Sequence, residues 1–107
     1  MKKQSQSRSS RQNRQADCEA FAARIRAARA VLRWSQTELG KKAHITQRAI
    51  HRLEKAAVEA RHLTLTRIDE AFKGAGIAFT ELPNGGFELI VPGHVLTSGP
   101  QKTASQG

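Results

Sequence analysis

Two short segments with helical signals lie between Trp34 and Lys55, and only two residues separate them. The first opens with the pattern Ser-Gln-Thr-Glu at positions 35–38, a capping box in which the serine caps the helix and the glutamate reaches back. We expect this helix to end near Ala43, and Thr46 is a good N-cap for the helix that follows. A short helix, a tight turn and a second helix form the geometry of a helix-turn-helix.

The second of these helices, expected over about residues 46–57, has two chemically different sides. At about 100° per residue, its polar and basic side chains fall within an arc of about 140°. They are Gln47, Arg48, His51, Arg52 and Lys55, whereas Ala49, Ile50, Leu53 and Ala57 gather on the opposite side. Amphipathic surface helices of many proteins divide in this way. The polar arc here has no acidic residue, which favours contact with a polyanion.

The rest of the chain predicts two more helices and a hairpin. A first helix over about residues 17–32 has apolar residues at helical spacing. A fourth helix starts at residue 64 or 66 and ends at residue 74 or 76. Two β-prone runs, at 77–82 and 87–91, flank an Asn-Gly-Gly turn signal. The expected fold is mainly α, a four-helix domain with a C-terminal β-hairpin.

The two ends of the chain differ in composition from the middle. Residues 1–16 are rich in Ser, Gln, Asn and basic residues and have almost nothing apolar to bury, so we expect a disordered basic arm. A helix-turn-helix domain is expected over 17–76, a hairpin extension over 77–93 and a disordered tail over 94–107.

Positive charge is concentrated in the first two thirds of the chain, whose formal net charge is +9. Residues 1–16 contain five basic residues and no acid, and residues 24–61 contain ten basic residues against three acids. In residues 63–97 the balance reverses, with two basic residues against four acids. Solvated surface charge would explain the total, but the uneven distribution is typical of a face that binds nucleic acid.

Several other classes of protein are not indicated. The single cysteine, Cys18, allows no intrachain disulfide, and the four histidines (His44, His51, His62 and His94) lack metal-ligand spacing. No phosphate-binding loop or catalytic motif is present, so we expect no enzyme, no metal and no cofactor. No apolar run approaches the roughly 18 residues of a membrane span, and we expect a soluble protein of the cytoplasm.

The stretch WSQTELGKKAHITQRAIHRLEK, residues 34–55, resembles the lambda-repressor/Cro-like (XRE) helix-turn-helix family. The resemblance extends over about residues 24–79. Gln36 begins the second helix and Gln47 the third, eleven residues later, which is the spacing of phage repressors. The resemblance implies that Gln36 contacts a phosphate and buttresses Gln47, which contacts a base. It also implies a partly buried ion pair between Arg29 and Glu54, with a structural role.

The resemblance and the side-chain chemistry together give candidate DNA contacts. The expected base contacts are Gln47, Arg48, His51 and Arg52. The expected phosphate contacts are Gln36, Lys41, Lys42, Lys55, Arg61 and the basic arm.

Four positions depart from the family pattern. Gly40 stands where relatives often have Ala, and it permits a close approach of the two helices. His44 stands in the turn where Gly is common, so it must accept a left-handed conformation. Arg33 and Ala56 stand where Gly often ends the first and third helices, so we expect a longer third helix.

Trp34, next to a helix cap, packs against that helix or stacks on a base, and we favour packing.

These features predict a sequence-specific regulator of transcription, a repressor, that binds double-stranded DNA in a bacterial cytoplasm. A homodimer is expected through the hairpin or the fourth helix, because one recognition helix contacts few bases and two-fold dimers contact paired half-sites. Two alternatives stay open. The chain is the antitoxin of a toxin–antitoxin pair, with a toxin as its protein partner, or it is a nucleoid or RNA-binding protein without sequence preference.

Overall fold

The computed structural model describes residues 2–97, and their side chains from residue 14 onward. Within this part of the chain the elements are α1 (Lys2–Leu32), α2 (Gln36–Ala43), α3 (Gln47–Glu54), α4 (His62–Gly74), β1 (Ala78–Glu81), β2 (Phe87–Ile90) and α5 (Gly93–Thr97). The structure is therefore mainly helical with a small two-stranded antiparallel sheet, as the sequence predicts.

Helix α1 begins at Lys2, well before the expected start near Asp17. The structure thus differs from the predicted disordered arm over residues 1–16, because residues 2–16 continue the helix. The arm has almost nothing apolar to bury, but it is rich in Lys, Arg and Gln and contains no Gly or Pro. Such residues extend a helix at little cost once a packed segment has formed its first turns.

Helices α2 and α3 begin at the predicted caps. The Ser35 hydroxyl accepts a hydrogen bond from the Glu38 amide at 3.0 Å, and the Glu38 carboxylate accepts one from the Ser35 amide at 2.9 Å. The Thr46 hydroxyl accepts a hydrogen bond from the Ala49 amide at 3.1 Å. The two helix starts are therefore fixed by local sequence.

Helices α1, α2 and α3 are each followed by a residue with left-handed backbone, and none of these residues is glycine. Arg33 has φ 62°, His44 has φ 60° and Ala56 has φ 55°. All three stand where the family pattern often has Gly, so the turns are retained at a cost of about 1 kcal/mol per residue. The expectation of a longer third helix, reaching about residue 57, is wrong. Helix α3 ends at Glu54 because Ala56 turns left-handed.

The C-terminal elements agree with prediction in type and differ in their bounds. Helix α4 starts at His62 rather than residue 64 or 66, and Arg61 precedes it without a side-chain cap. Strands β1 and β2 lie inside the predicted runs, with Phe79 opposite Leu89. Helix α5 includes residues 94–97, which were predicted to begin a disordered tail over 94–107, so that prediction is wrong for these four residues. Residues 98–107 of that tail lie outside the described residues.

The core is built from one face of each of the first four helices. Its fully buried members include Ile25, Leu39, Ile50, Ile68 and Phe72. Strands and α5 close it at one end, where Ile77 and Val95 are buried. None of the described helices is long and apolar enough to cross a membrane.

Trp34 packs inside the protein, as the sequence analysis favours, but its partner is the core and not the start of α2 alone. Its ring stacks on that of Phe72, with the centroids 5.9 Å apart and the planes at 22°. The indole is half-buried, and the Lys42 ammonium lies 5.0 Å from its centroid. The residue therefore joins the start of α2 to α4.

Candidate nucleic-acid interface

The polar arc of α3 faces solvent. All four candidate base contacts, Gln47, Arg48, His51 and Arg52, are exposed. The candidate phosphate contacts Lys41, Lys42, Lys55 and Arg61 are exposed as well, whereas Gln36 is half-buried. On the other side of α3, Ile50 and Leu53 are buried against α1 and α2. Helix α3 is thus packed on its apolar side and free on its basic side.

One surface cavity of about 280 Å³ is lined by Arg52 of α3 and by Arg61, the residue that precedes α4. Its other lining residues are Ala49, Leu53, Val58, Glu59, Ala60 and Thr64. The loop between α3 and α4 therefore brings a second guanidinium close to the exposed arc of α3. Such an arrangement suits contact with neighbouring phosphates.

The side chains of Gln47, Gln36 and Glu54 form a continuous line of hydrogen bonds, which we call the glutamine relay. Gln47 Nε2 donates to Gln36 Oε1 at 2.6 Å, and Gln36 Nε2 donates to Glu54 Oε1 at 2.9 Å. The relay joins the first residues of α2 and α3 to the last residue of α3. The buttressing contact between Gln36 and Gln47 that the family resemblance implies is present.

Two arginines of α1 hold the buried end of the relay. Arg29 Nε donates to Glu54 Oε2 at 2.5 Å and its Nη2 donates to Oε1 at 2.9 Å, so the expected ion pair is present and bidentate. Arg29 Nη1 also donates to the Trp34 carbonyl at 2.8 Å. Arg26 Nη1 donates to the Glu54 carbonyl at 2.5 Å. The side chain and the main chain of Glu54 are thus both bound to α1.

The sequence analysis did not single out Arg26. It precedes Arg29 by three residues, so both lie on one side of α1, and this spacing was the available signal. The contact gives a partner to one of the carbonyl groups that the C-terminus of α3 leaves unsatisfied.

Glu54 is charged despite being only 7% exposed. Burial acts to raise the pKa of its carboxyl group, but the hydrogen bonds from Arg29 and Gln36 and the nearby charges of Arg29 and Arg26 act in the other direction. They prevail, and the pKa of Glu54 lies below its ordinary value. The hydrogen bond to Glu54 correspondingly raises the pKa of Arg29. The pair is therefore ionised at neutral pH.

Gly40 allows the turn between α2 and α3 to close tightly, as the sequence analysis infers. A Cβ atom at this position would lie 2.5 Å from the Ile45 carbonyl oxygen, closer than real contacts allow. The Ile45 amide donates to the Gly40 carbonyl at 2.8 Å. Alanine at this position would force the turn away from α2.

Aromatic and charged contacts hold the hairpin against α1. The Arg24 guanidinium lies 5.5 Å from the ring centroid of Phe79 and 5.6 Å from that of Phe87, and it pairs with Glu81 at 3.4 Å. A cavity of about 480 Å³ opens beside it. The charged groups in its lining are Asp17, Arg24, Asp69 and Glu81. The sequence analysis identified neither this cavity nor the role of Arg24.

Among the described residues, no three His, Cys, Asp or Glu side chains are grouped as they would be around a metal ion. Cys18 is free and half-buried, and burial raises the pKa of its thiol. No protein-family model matches the chain, and no curated protein matches it either.

Proposed function

We propose that this protein is a sequence-specific regulator of transcription that binds double-stranded DNA through a lambda-repressor-like helix-turn-helix formed by α2 and α3. In this proposal it acts as a repressor, and α3 lies in the major groove. The observation that carries the proposal is the glutamine relay, because it holds an exposed amide at the start of a helix whose solvent side is basic.

Two features of the fold support the helix-turn-helix assignment. The turn from α2 to α3 is short, with His44 left-handed and Thr46 capping the next helix. Gly40 permits the close approach that such a turn needs. In this class of motif the second helix places its N-terminal residues against base edges, and Gln47 and Arg48 are the first two residues of α3.

The exposed side chains suit their proposed roles. Gln pairs with adenine through two hydrogen bonds, Arg pairs with guanine in the same way, and Lys contacts phosphate. In the proposal Gln47, Arg48, His51 and Arg52 contact bases. Gln36, Lys41, Lys42, Lys55 and Arg61 contact phosphates.

The proposed active form is a homodimer, whose half-sites would lie about 34 Å apart on the DNA. Each interface that the sequence analysis left open contains a large exposed apolar side chain. Leu63 on α4 is 57% exposed, and Ile90 on β2 is 48% exposed. Sedimentation of Leu63→Lys and Ile90→Lys variants decides between them, because only the substitution at the true interface converts the dimer to a monomer.

A binding selection from randomised duplexes tests the proposal. The wild-type protein is compared with a Gln47→Ala/Arg48→Ala double variant, whose substitutions are on the exposed side of α3 and leave the core intact. We expect a palindromic motif that wild type enriches and the double variant loses. An enriched pool without a motif would refute sequence-specific binding and would favour a nucleoid or RNA-binding protein driven by charge.

A second candidate function is that of an antitoxin, which binds a toxin protein as well as DNA. The observation that favours it is the cavity of about 480 Å³ at the hairpin end, which has apolar lining from Phe21 and Leu65 beside its acidic groups. The lining of this cavity comes from α1, α4 and the hairpin, and not from the basic arc of α3. Co-purification of a protein partner that a Phe21→Lys substitution abolishes, with DNA binding retained, would support the antitoxin function.

A further inference from the structure

We infer that Glu54 is a positioning residue that determines which way the amide of Gln47 faces, and thereby which base Gln47 selects. The inference rests on the proposed DNA-binding function and extends it to a residue that does not reach the DNA. Its basis is the direction of each hydrogen bond in the glutamine relay.

The direction is set at the buried end. An ionised carboxylate only accepts hydrogen bonds, and Arg29 has only donors. The Glu54 carboxylate is occupied on both oxygens by Arg29, and Oε1 accepts from Gln36 as well. Gln36 must therefore present its NH₂ group, not its oxygen, to Glu54.

The same constraint passes to Gln47. With its NH₂ group on Glu54, Gln36 directs its oxygen towards Gln47, and the 2.6 Å contact requires an N–H of Gln47. Were the carboxylate replaced by a group that also donates, both glutamine amides could rotate by half a turn and still be hydrogen-bonded. The charge on Glu54 is thus the reason that one orientation is favoured.

The orientation decides what Gln47 offers to DNA. When Gln47 is bound in the relay, its second N–H and its oxygen are free to contact DNA, so it offers a donor beside an acceptor. Adenine presents the complementary pair in the major groove, with N7 accepting and the N6 amino group donating. In the reverse orientation Gln47 would use its oxygen on Gln36 and present an NH₂ group alone, which suits the two acceptors of guanine, N7 and O6.

The test is a Glu54→Gln substitution, which preserves the size of the side chain and lets it present either an oxygen or an NH₂ group to Gln36. Binding selection from randomised duplexes measures the ratio of adenine to guanine at one base-pair position, the position at which the Gln47→Ala variant loses its preference. We expect this ratio to fall by about tenfold in Glu54→Gln, the size of one lost bidentate discrimination. Binding to random duplexes is expected to stay unchanged, because no exposed basic group is altered.

Two further variants keep the result interpretable. Ile68→Val removes a buried methyl group elsewhere in the core and leaves the relay intact, so its base preference must equal that of wild type even though it is less stable. Gln36→Met interrupts the relay but retains the Arg29–Glu54 pair, and it serves if Glu54→Gln fails to fold. It too is expected to lose the preference for adenine.

The side-chain NH₂ signals of Gln36 and Gln47, measured by NMR on the protein without DNA, separate this inference from the proposed function. We expect slow exchange for the bonded Gln47 proton in wild type and a loss of that protection in Glu54→Gln. A folded Glu54→Gln protein with wild-type base preference and unchanged amide signals would overturn the inference. If wild type selects no motif, the proposed function fails, and the role of Glu54 in base selection fails with it. Amide signals that still change in Glu54→Gln would then show that Glu54 orients Gln47 and that the DNA-binding assignment is the part that is wrong.

Discussion

The α2–α3 end of the helix-turn-helix and the hairpin end of the chain are stabilised by different kinds of contact. At the α2–α3 end, short directional hydrogen bonds connect Arg29, Glu54, Gln36 and Gln47, and the solvent side is basic. At the hairpin end, aromatic rings surround Arg24, and the nearby cavity is acidic. Directional bonds fix where a side chain points, whereas ring contacts mainly cover apolar surface. In the proposed function, the directional bonds hold Gln47 in place for base contact, whereas the ring contacts hold the hairpin against α1.

The largest expected effect contrasts the two ion pairs. The Glu54 side chain is 6% exposed in its pair with Arg29, and the Glu81 side chain is 79% exposed in its pair with Arg24. Removing the buried Glu54 carboxylate leaves three part-buried donors, Arg29 Nε, Arg29 Nη2 and Gln36 Nε2, without their acceptor, so we expect Glu54→Ala to lower the free energy of unfolding by about 3 kcal/mol. Glu81→Ala is expected to lower it by less than about 0.5 kcal/mol, because water already solvates that carboxylate.

Urea denaturation followed by the fluorescence of Trp34, the only tryptophan, measures both values. Similar losses in the two variants would contradict the contrast between the ends.

The next effect concerns the close approach at Gly40. We expect Gly40→Ala to lower the free energy of unfolding by about 2 kcal/mol, because the added Cβ would meet the Ile45 carbonyl oxygen and the turn must move. Gly74→Ala is the matched control in α4, where a Cβ would meet nothing within 4 Å. The control is expected to be neutral or slightly stabilising, since Ala favours a helix over Gly. Equal behaviour of the two variants would rule out the tight turn.

Acid gives a smaller loss at the α2–α3 end, because protonation leaves the Glu54 side chain in place. The folded-state pKa of Glu54 lies below its ordinary value of 4.5, so its contribution is fully present above pH 4.5 and is lost as the pH falls through the folded pKa. We expect the stability advantage of wild type over Glu54→Gln to shrink across that acidic range. Urea denaturation at a series of pH values measures it, and an advantage that does not change with pH would contradict the assignment.

A smaller effect concerns the left-handed residues. Ala56 has φ 55°, and we expect Ala56→Gly to raise the free energy of unfolding by up to about 1 kcal/mol, since glycine adopts this conformation without strain. Ala75, which follows α4 with φ −89°, is the control. There glycine relieves nothing and adds freedom to the unfolded chain, so Ala75→Gly is expected to lower stability. Thermal unfolding distinguishes the two signs.

Much of the α2–α3 end was predictable from sequence because its determinants are local. The capping box at residues 35–38, the Thr46 cap and the eleven-residue spacing of the two glutamines lie within one short stretch. The ion pair of Arg29 and Glu54 came from the family resemblance, and the left-handed conformation of His44 came from the same source. The end of α3 was mispredicted because a left-handed Ala56 has no signal in helix propensity.

The hairpin end was less predictable because its contacts join distant parts of the chain. The strands followed from β-prone runs around a turn, but the position of Arg24 between two rings depends on how α1 meets the hairpin. Helix α5 has only five residues, too few for periodicity to reveal. The N-terminal half of α1 was mispredicted for another reason, since an apolar count ignores the ability of polar residues to extend a helix.

The smallest expected effect tests whether DNA is bound at one end only. Lys42 on α2 and Lys73 on α4 are both exposed. Lys42 belongs to the α2–α3 end, whereas Lys73 lies beside the hairpin. In the proposed complex Lys42 contacts a phosphate, so Lys42→Ala should weaken binding to specific and random duplexes alike. It should also reduce the slope of log affinity against log salt by about 0.9. Lys73→Ala should leave the slope unchanged. Fluorescence anisotropy over a range of salt concentrations measures these slopes. Equal losses from Lys42→Ala and Lys73→Ala would mean that charge over the whole surface, and not the α2–α3 end, binds the DNA.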